Sequence, residues 1–142
     1  MREPDVVPFA FECLDHLVLR TENIEGLRDF YRQIGCEVVK DQTTTLGLLQ
    51  LRLGASMLDL IDVNGELGQQ GGRGPGRHGR NLDHFAVRVE PFDAEQILDF
   101  CEQMGIRAMQ AKQPLLGAEG YGPAVYIEDP DGNRIELKGP AG

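Results

Sequence analysis

Laid against itself, the sequence repeats, and this constrains the fold more than any other feature. A repeated small unit cannot bury its apolar face alone and must cover it with its neighbour. Leu14-Asp15-His16 recurs as Leu82-Asp83-His84. Each tripeptide opens a segment of period two, with Leu17 and Leu19 opposed to His16 and Val18, then Phe85 and Val87 opposed to His84 and Ala86. The two histidines therefore share one face of equivalent strands.

An amphipathic helix follows each strand. The first sets Ile24, Leu27, Phe30, Tyr31 and Ile34 at helical spacing, and the second Ala94, Ile97, Leu98, Cys101 and Met104. Their ends agree too: Asp29-Phe30, Gln33 and Gly35 match Asp99-Phe100, Gln103 and Gly105. Each glycine stands where a helix terminus favours a residue tolerant of the left-handed conformation. Thr21 or Asn23 can cap the first helix and Asp93 the second.

Strand-like segments come next: Cys36 to Lys40, Thr45 to Leu53 and Ser56 to Val63, then Ile106 to Ala111, Pro123 to Glu128 and Asn133 to Lys138. Between the last two lies Asp129-Pro130-Asp131-Gly132-Asn133, a turn-forming cluster. Both halves read as strand, helix, three strands. The chain is thus expected to be a single α+β domain over residues 1–142, with modules at 13–63 and 81–139. The join, residues 64–80, is rich in Gly and carries Arg73, Arg77, His78 and Arg80. It is either a solvated flexible linker or a loop that presents Arg to an anionic substrate. Leu116 to Gly122, with Glu119 and Tyr121, is either an ordinary connection or a loop that covers a cleft, its glycines letting it move.

Composition narrows the function. Of 142 residues, 41% are hydrophobic and 26% charged, as expected of a soluble domain with a real core. The balance of 14 Lys and Arg against 23 Asp and Glu leaves a net charge of -9, which repels nucleic acid. No stretch approaches the roughly 20 apolar residues of a membrane span. Residues 1–13 lack the basic region and apolar run of a secretory signal. Cys13, Cys36 and Cys101 show no CxxC spacing and read as small core residues in a reducing compartment, so a cytoplasmic protein is expected.

A lone strand histidine is more often packed than ligating, but two of the three histidines at equivalent places point toward one cleft. The last strand of each copy adds a carboxylate between branched apolar residues, Leu58-Asp59-Leu60 and Ile135-Glu136-Leu137, each facing away from the core. Glu136 shares that face with Arg134 and Lys138. Asp59 can equally be an ordinary solvent-facing acid. Two imidazoles with one or two carboxylates suit Zn, Fe, Co, Ni or Mn with a position left open for substrate. Asp15 and Asp83 point to the opposite strand face, where they can act only behind the histidines or in the backbone turn.

At these residues the chain resembles the vicinal oxygen chelate superfamily, which includes glyoxalase, fosfomycin-resistance proteins, methylmalonyl-CoA epimerase and extradiol dioxygenases. The elements that carry the resemblance are Leu-Asp-His at both module starts, Phe30-Tyr31 followed by Gly35, and the run from Asp129 to Leu137. It implies paired βαβββ modules forming a cupped eight-stranded mixed sheet, with His16, His84 and Glu136 at metal-ligand places. Asp59 falls where glyoxalase has a Glu and is one methylene shorter, so it reaches an ion directly, through water, or not at all. A glyoxalase-like member implies a lyase or isomerase in which Glu136 moves a proton beside a carbonyl while the metal stabilises an enediolate. A homodimer acting on a small-molecule substrate is implied as well. The alternatives are a ring-cleaving dioxygenase, with Asp59 outside the ligand set, and a metal-free antibiotic-binding protein.

Overall fold

A computed structural model describes residues 6–142, and its elements follow the repeat. The first copy contains β1 (His16–Thr21), α1 (Ile24–Gln33), β2 (Val38–Gln42), β3 (Leu48–Leu53) and β4 (Ser56–Asp62). The second contains β5 (Phe85–Arg88), α2 (Ala94–Met104), β6 (Ala108–Gln110), β7 (Leu115–Gly117), β8 (Gly120–Gly122), β9 (Ala124–Glu128) and β10 (Arg134–Lys138). Each copy builds a four-stranded sheet of the same plan, β1-β4-β3-β2 and β5-β10-β9-β6. In both, the first and last strands pair parallel and the other neighbours antiparallel. The α+β class and the tandem βαβββ plan are therefore as implied. The eight strands hydrogen-bond as two sheets, with β1 and β5 each left at an edge with a single neighbour.

Local signals account for the helices. Asn23 caps α1 by accepting from the Gly26 N–H at 3.1 Å, and Asp93 caps α2 by accepting from the Gln96 N–H at 3.1 Å. Gly105 ends α2 at φ +70°, in the left-handed conformation. Leu27, Phe30 and Tyr31 form the buried stripe of α1. Against them lie Leu19, Leu49, Leu51, Leu58 and Leu60, all 0% exposed, and from the second copy Cys101, Val125, Ile127 and Ile135. Residues of both modules thus form one core. Burying each such leucine stabilises the fold by roughly 1.5–3 kcal/mol before entropy is counted. Cys36 and Cys101 are buried free thiols, whereas Cys13 is exposed.

The Asp129-to-Asn133 turn fastens one module to the other. Asp129 Oδ2 accepts from the Tyr31 hydroxyl at 2.7 Å and from Asn133 Nδ2 at 2.8 Å. Its Oδ1 accepts from the backbone N–H groups of Asp131 and Asn133 at 2.9 Å each. Burial first, and then the Asp129 charge, push the Tyr31 phenol far above its usual value. Thr21 joins the same contact, donating to Asp131 Oδ2 at 2.6 Å rather than capping α1.

Two connections differ from what composition suggests. The join holds a short 3-10 turn (Gly68–Gly71), tied down by Arg20 of β1, which donates to the carbonyls of Gly68, Gly72 and Arg73 at 3.0, 2.8 and 3.0 Å. Gly68 is required there, because a Cβ would stand 2.0 Å from the Asp62 carbonyl oxygen. The second is the glycine-rich stretch before β9, which forms the β7–β8 hairpin. Among the described residues no helix is long and apolar enough to cross a membrane.

Candidate metal centre

Strand alternation sets the candidate residues on the faces turned away from the core. On β1 His16 and Val18 are exposed while Leu19 is sealed. Asp59 of β4 stands in register with Val18 on one side and Gln50 of β3 on the other. Gln50 Nε2 donates to Asp59 Oδ2 at 3.3 Å, and Asp59 Oδ1 is buried with no hydrogen-bond partner among the described residues. His16 Nδ1 lies 2.8 Å from Asp15 Oδ1. That hydrogen bond, followed by the charge of Asp59, raises the His16 pKa above its ordinary value.

The second copy repeats the arrangement at closer quarters. His84, immediately before β5, has Nδ1 2.6 Å from Asp83 Oδ2 and Nε2 3.3 Å from Glu136 Oε1. The bond to His84 is the main cause that lowers the Asp83 pKa. Glu136 is 7% exposed and stands in register between Ala86 of β5 and Tyr126 of β9. Burial, then the Glu136 charge and a hydrogen bond to it, raise the Tyr126 phenol. His84 and Glu136 open onto a cleft of about 310 Å³ that Arg88, Lys138, Leu116 and Glu119 also line. Leu116 to Glu119 of the β7–β8 hairpin form one wall of the cleft, and Tyr121 of that hairpin is exposed. Arg73, Arg77, His78 and Arg80 of the join are exposed and do not line the cleft.

His84 and Glu136 come together, and His16 feels the charge of Asp59, yet the two pairs remain apart within one chain. Among the described residues no three His, Cys, Asp or Glu side chains gather closely enough to hold a metal ion. His16 lines a different cleft, of about 290 Å³, with Met57, Ala86 and Arg88.

Each half nevertheless suits a divalent cation. Asp15 and Asp83 occupy Nδ1 of their histidines, which leaves Nε2 as the ligating nitrogen, the usual role of a carboxylate behind a metal-bound imidazole. Two donors each about 2.1 Å from one ion lie roughly 3.0–3.4 Å apart for right-angle to tetrahedral coordination. The 3.3 Å between His84 Nε2 and Glu136 Oε1 falls in that range. An orphaned, buried carboxylate oxygen such as Asp59 Oδ1 is also costly unless a cation or donor meets it.

Sequence reasoning placed all four candidates on the correct faces. It missed Gln50 and Tyr126, which only strand register brings against Asp59 and Glu136. It also missed Arg88, although two-residue alternation from His84 through Ala86 leads to it.

Known proteins share this fold. A glyoxalase domain-containing protein of Mycosarcoma maydis is 27% identical over 128 residues, covering 90% of this chain and 68% of that protein. The structure of a lactoylglutathione lyase from Agrobacterium tumefaciens matches with a TM-score of 0.63 and 21% identity, over 92% of this chain and 95% of that one. A fosfomycin resistance protein from Listeria monocytogenes, solved with Mn(II) and sulfate, matches with a TM-score of 0.66 and 14% identity, over 93% of each chain. Residues 13–137 match the family model itself, so the chain belongs to the Glyoxalase/Bleomycin resistance protein/Dioxygenase superfamily.

Proposed function

We propose that the chain is a divalent-metal-dependent lyase or isomerase acting on a small oxo or thiol-adduct substrate. His16, His84, Glu136 and Asp59 are the metal ligands in this reading, and Glu136 is also the base. The observation that carries it is the approach of His84 Nε2 to the buried Glu136 carboxylate at 3.3 Å, inside a cleft sized for a small molecule. A divalent ion held there supplies a Lewis acid that stabilises negative charge developing on a substrate oxygen.

The chain's own groups provide the remainder. The Glu136 carboxylate takes a proton from the carbon beside a substrate carbonyl and delivers it to the neighbouring carbon. Tyr126 stands opposite Glu136 across β9 and β10. Asp83 fixes the ring of His84, and the β7–β8 hairpin walls one side of the cleft.

The separation of the two half-sets supports a site completed by a second copy. β1 and β5 each have a strand neighbour on one side only, and a homodimer that sets His16 and Asp59 of one subunit against the partner subunit's His84 and Glu136 would complete the set. The presence of all four donors weighs against a metal-free binding protein.

The test is proton exchange in D2O with the hemithioacetal of methylglyoxal and glutathione, alongside small oxo acids. Deuterium incorporation is expected in the metal-loaded protein, with a loss of about 10²–10⁴-fold in Glu136→Gln. Equal exchange in the two proteins would remove Glu136 from the mechanism. Catechol turnover with Fe(II) in place of exchange would move the protein to the ring-cleaving class.

A further inference from the structure

The cleft beside Glu136 contains a cation that the chemistry above does not use. Lys138 lies two residues beyond Glu136 on the same face of β10, about 6.6 Å along the strand. It is 7% exposed, an uncommon state for a lysine. An ammonium has three N–H donors, yet among the described residues its one hydrogen bond is a long one, 3.4 Å to the Gly120 carbonyl. Among the described residues no carboxylate lies within ion-pair distance of it.

The other cation of the cleft is already committed. Arg88 donates through Nε to Glu119 at 2.8 Å and through a terminal nitrogen to Glu90 at 2.9 Å. The first of these contacts clamps the β7–β8 turn onto β5. Two hairpin glycines let the Lys138 head pack against the hairpin: a Cβ at Gly122 would stand 2.5 Å from the Pro140 carbonyl oxygen and 3.0 Å from Nζ, and one at Gly117 would stand 3.4 Å from Nζ. A buried ammonium packed in this way, with donors to spare, is costly unless an anion completes it.

We infer that Lys138 is the substrate-recognition residue for an oxyanion, so that the cleft takes a small oxo compound carrying a carboxylate or phosphonate. The inference rests on the proposed reaction only in taking this cleft as the substrate site. Lys138 binds the anionic end, and the reacting carbon lies toward Glu136. At about 310 Å³ the cleft is at the small end for ligand sites, which favours a compact acid.

The test compares charged probes with neutral isosteres on the metal-loaded protein: pyruvate against methyl pyruvate, and methylphosphonate against its dimethyl ester. Affinity is read by calorimetry for wild type, Lys138→Met and Lys138→Arg. Wild type is expected to prefer one charged probe by on the order of tenfold or more, Lys138→Met to lose that preference, and Lys138→Arg to recover part of it. Which acid shows the preference separates carboxylate from phosphonate recognition. Unfolding midpoints guard against misfolding, and Lys138→Met is expected to match or exceed wild type because it removes an uncompensated buried charge.

His84→Ala is measured in parallel. Loss of its metal with the charge preference intact would leave both readings standing, whereas full retention of metal there would count against the metal centre alone. A charge preference that survives in Lys138→Met would overturn the inference, as would wild type binding neither acid.

Discussion

Replacing Asp59 with Asn separates metal ligation from a structural role of its carboxylate. Its Oδ2 accepts from Gln50 while its buried Oδ1 has no partner. Leaving a buried polar atom unsatisfied costs about 1–3 kcal/mol, with charged groups at or above the upper end. Asn keeps the shape and can still accept from Gln50, but it carries no charge. In chelator-treated protein the variant should therefore be more stable by about 1 kcal/mol, or roughly 2–4 °C in Tm for a domain of this size.

Metal should reverse the order. A site filled at 100 times its Kd stabilises the native state by about 2.7 kcal/mol. Each tenfold loss of affinity removes about 1.4 kcal/mol of that. Thermal unfolding of both proteins in EDTA, and again with excess Zn or Ni, measures the crossover. The expected result is an Asn variant that melts higher without metal and gains less when metal is added. A variant that melts lower in EDTA and gains as much as wild type would make Asp59 a structural acceptor for Gln50 and remove it from the ligand set.

Other consequences can be checked on single variants. Tyr31→Phe removes the 2.7 Å bond to the buried Asp129 carboxylate that joins the modules, and denaturant unfolding should show a loss of about 1–3 kcal/mol. Gly105→Ala meets no steric contact, yet φ is +70° there; the strain should cost on the order of 1 kcal/mol by the same assay, and no loss would mean that the helix end rearranges. Gly68→Ala would force a Cβ to within 2.0 Å of the Asp62 carbonyl. Limited proteolysis should then cut the 64–80 join faster than in wild type.

Much of the fold was legible because its signals are local. The period of two after each Leu-Asp-His, the helical spacing from Ile24 to Ile34, and the caps Asn23 and Asp93 depend only on neighbouring residues, and all appear in the structure. What escaped depends on distant partners. The order of the 64–80 join comes from Arg20, more than forty residues earlier in sequence. The β7–β8 hairpin has three-residue strands with glycine in both, too short and too permissive for a pattern to emerge. The Asp129-to-Asn133 cluster read correctly as a turn, but its role as the fastening between modules needed Tyr31 from α1.

The site divides in the same way. Alternation assigns His16, Asp59, His84 and Glu136 to outward faces, and adjacency in sequence gives each histidine its aspartate. Which outward faces meet is decided by how modules or subunits dock. No periodicity encodes that, and within one chain the His16 pair and the His84 pair stay apart.

The most direct test of a shared metal centre is therefore metal stoichiometry in mixed variants. His16→Ala and His84→Ala are prepared separately, each expected to lose bound metal, then mixed in equal amounts, allowed to exchange subunits and reassayed by elemental analysis. In a twofold dimer with sites between chains, each mixed dimer rebuilds one intact site, so random exchange should restore about a quarter of the wild-type metal content. Full metal in His84→Ala alone would contradict the ligand assignment, and no recovery in the mixture after exchange would contradict a site built from two copies.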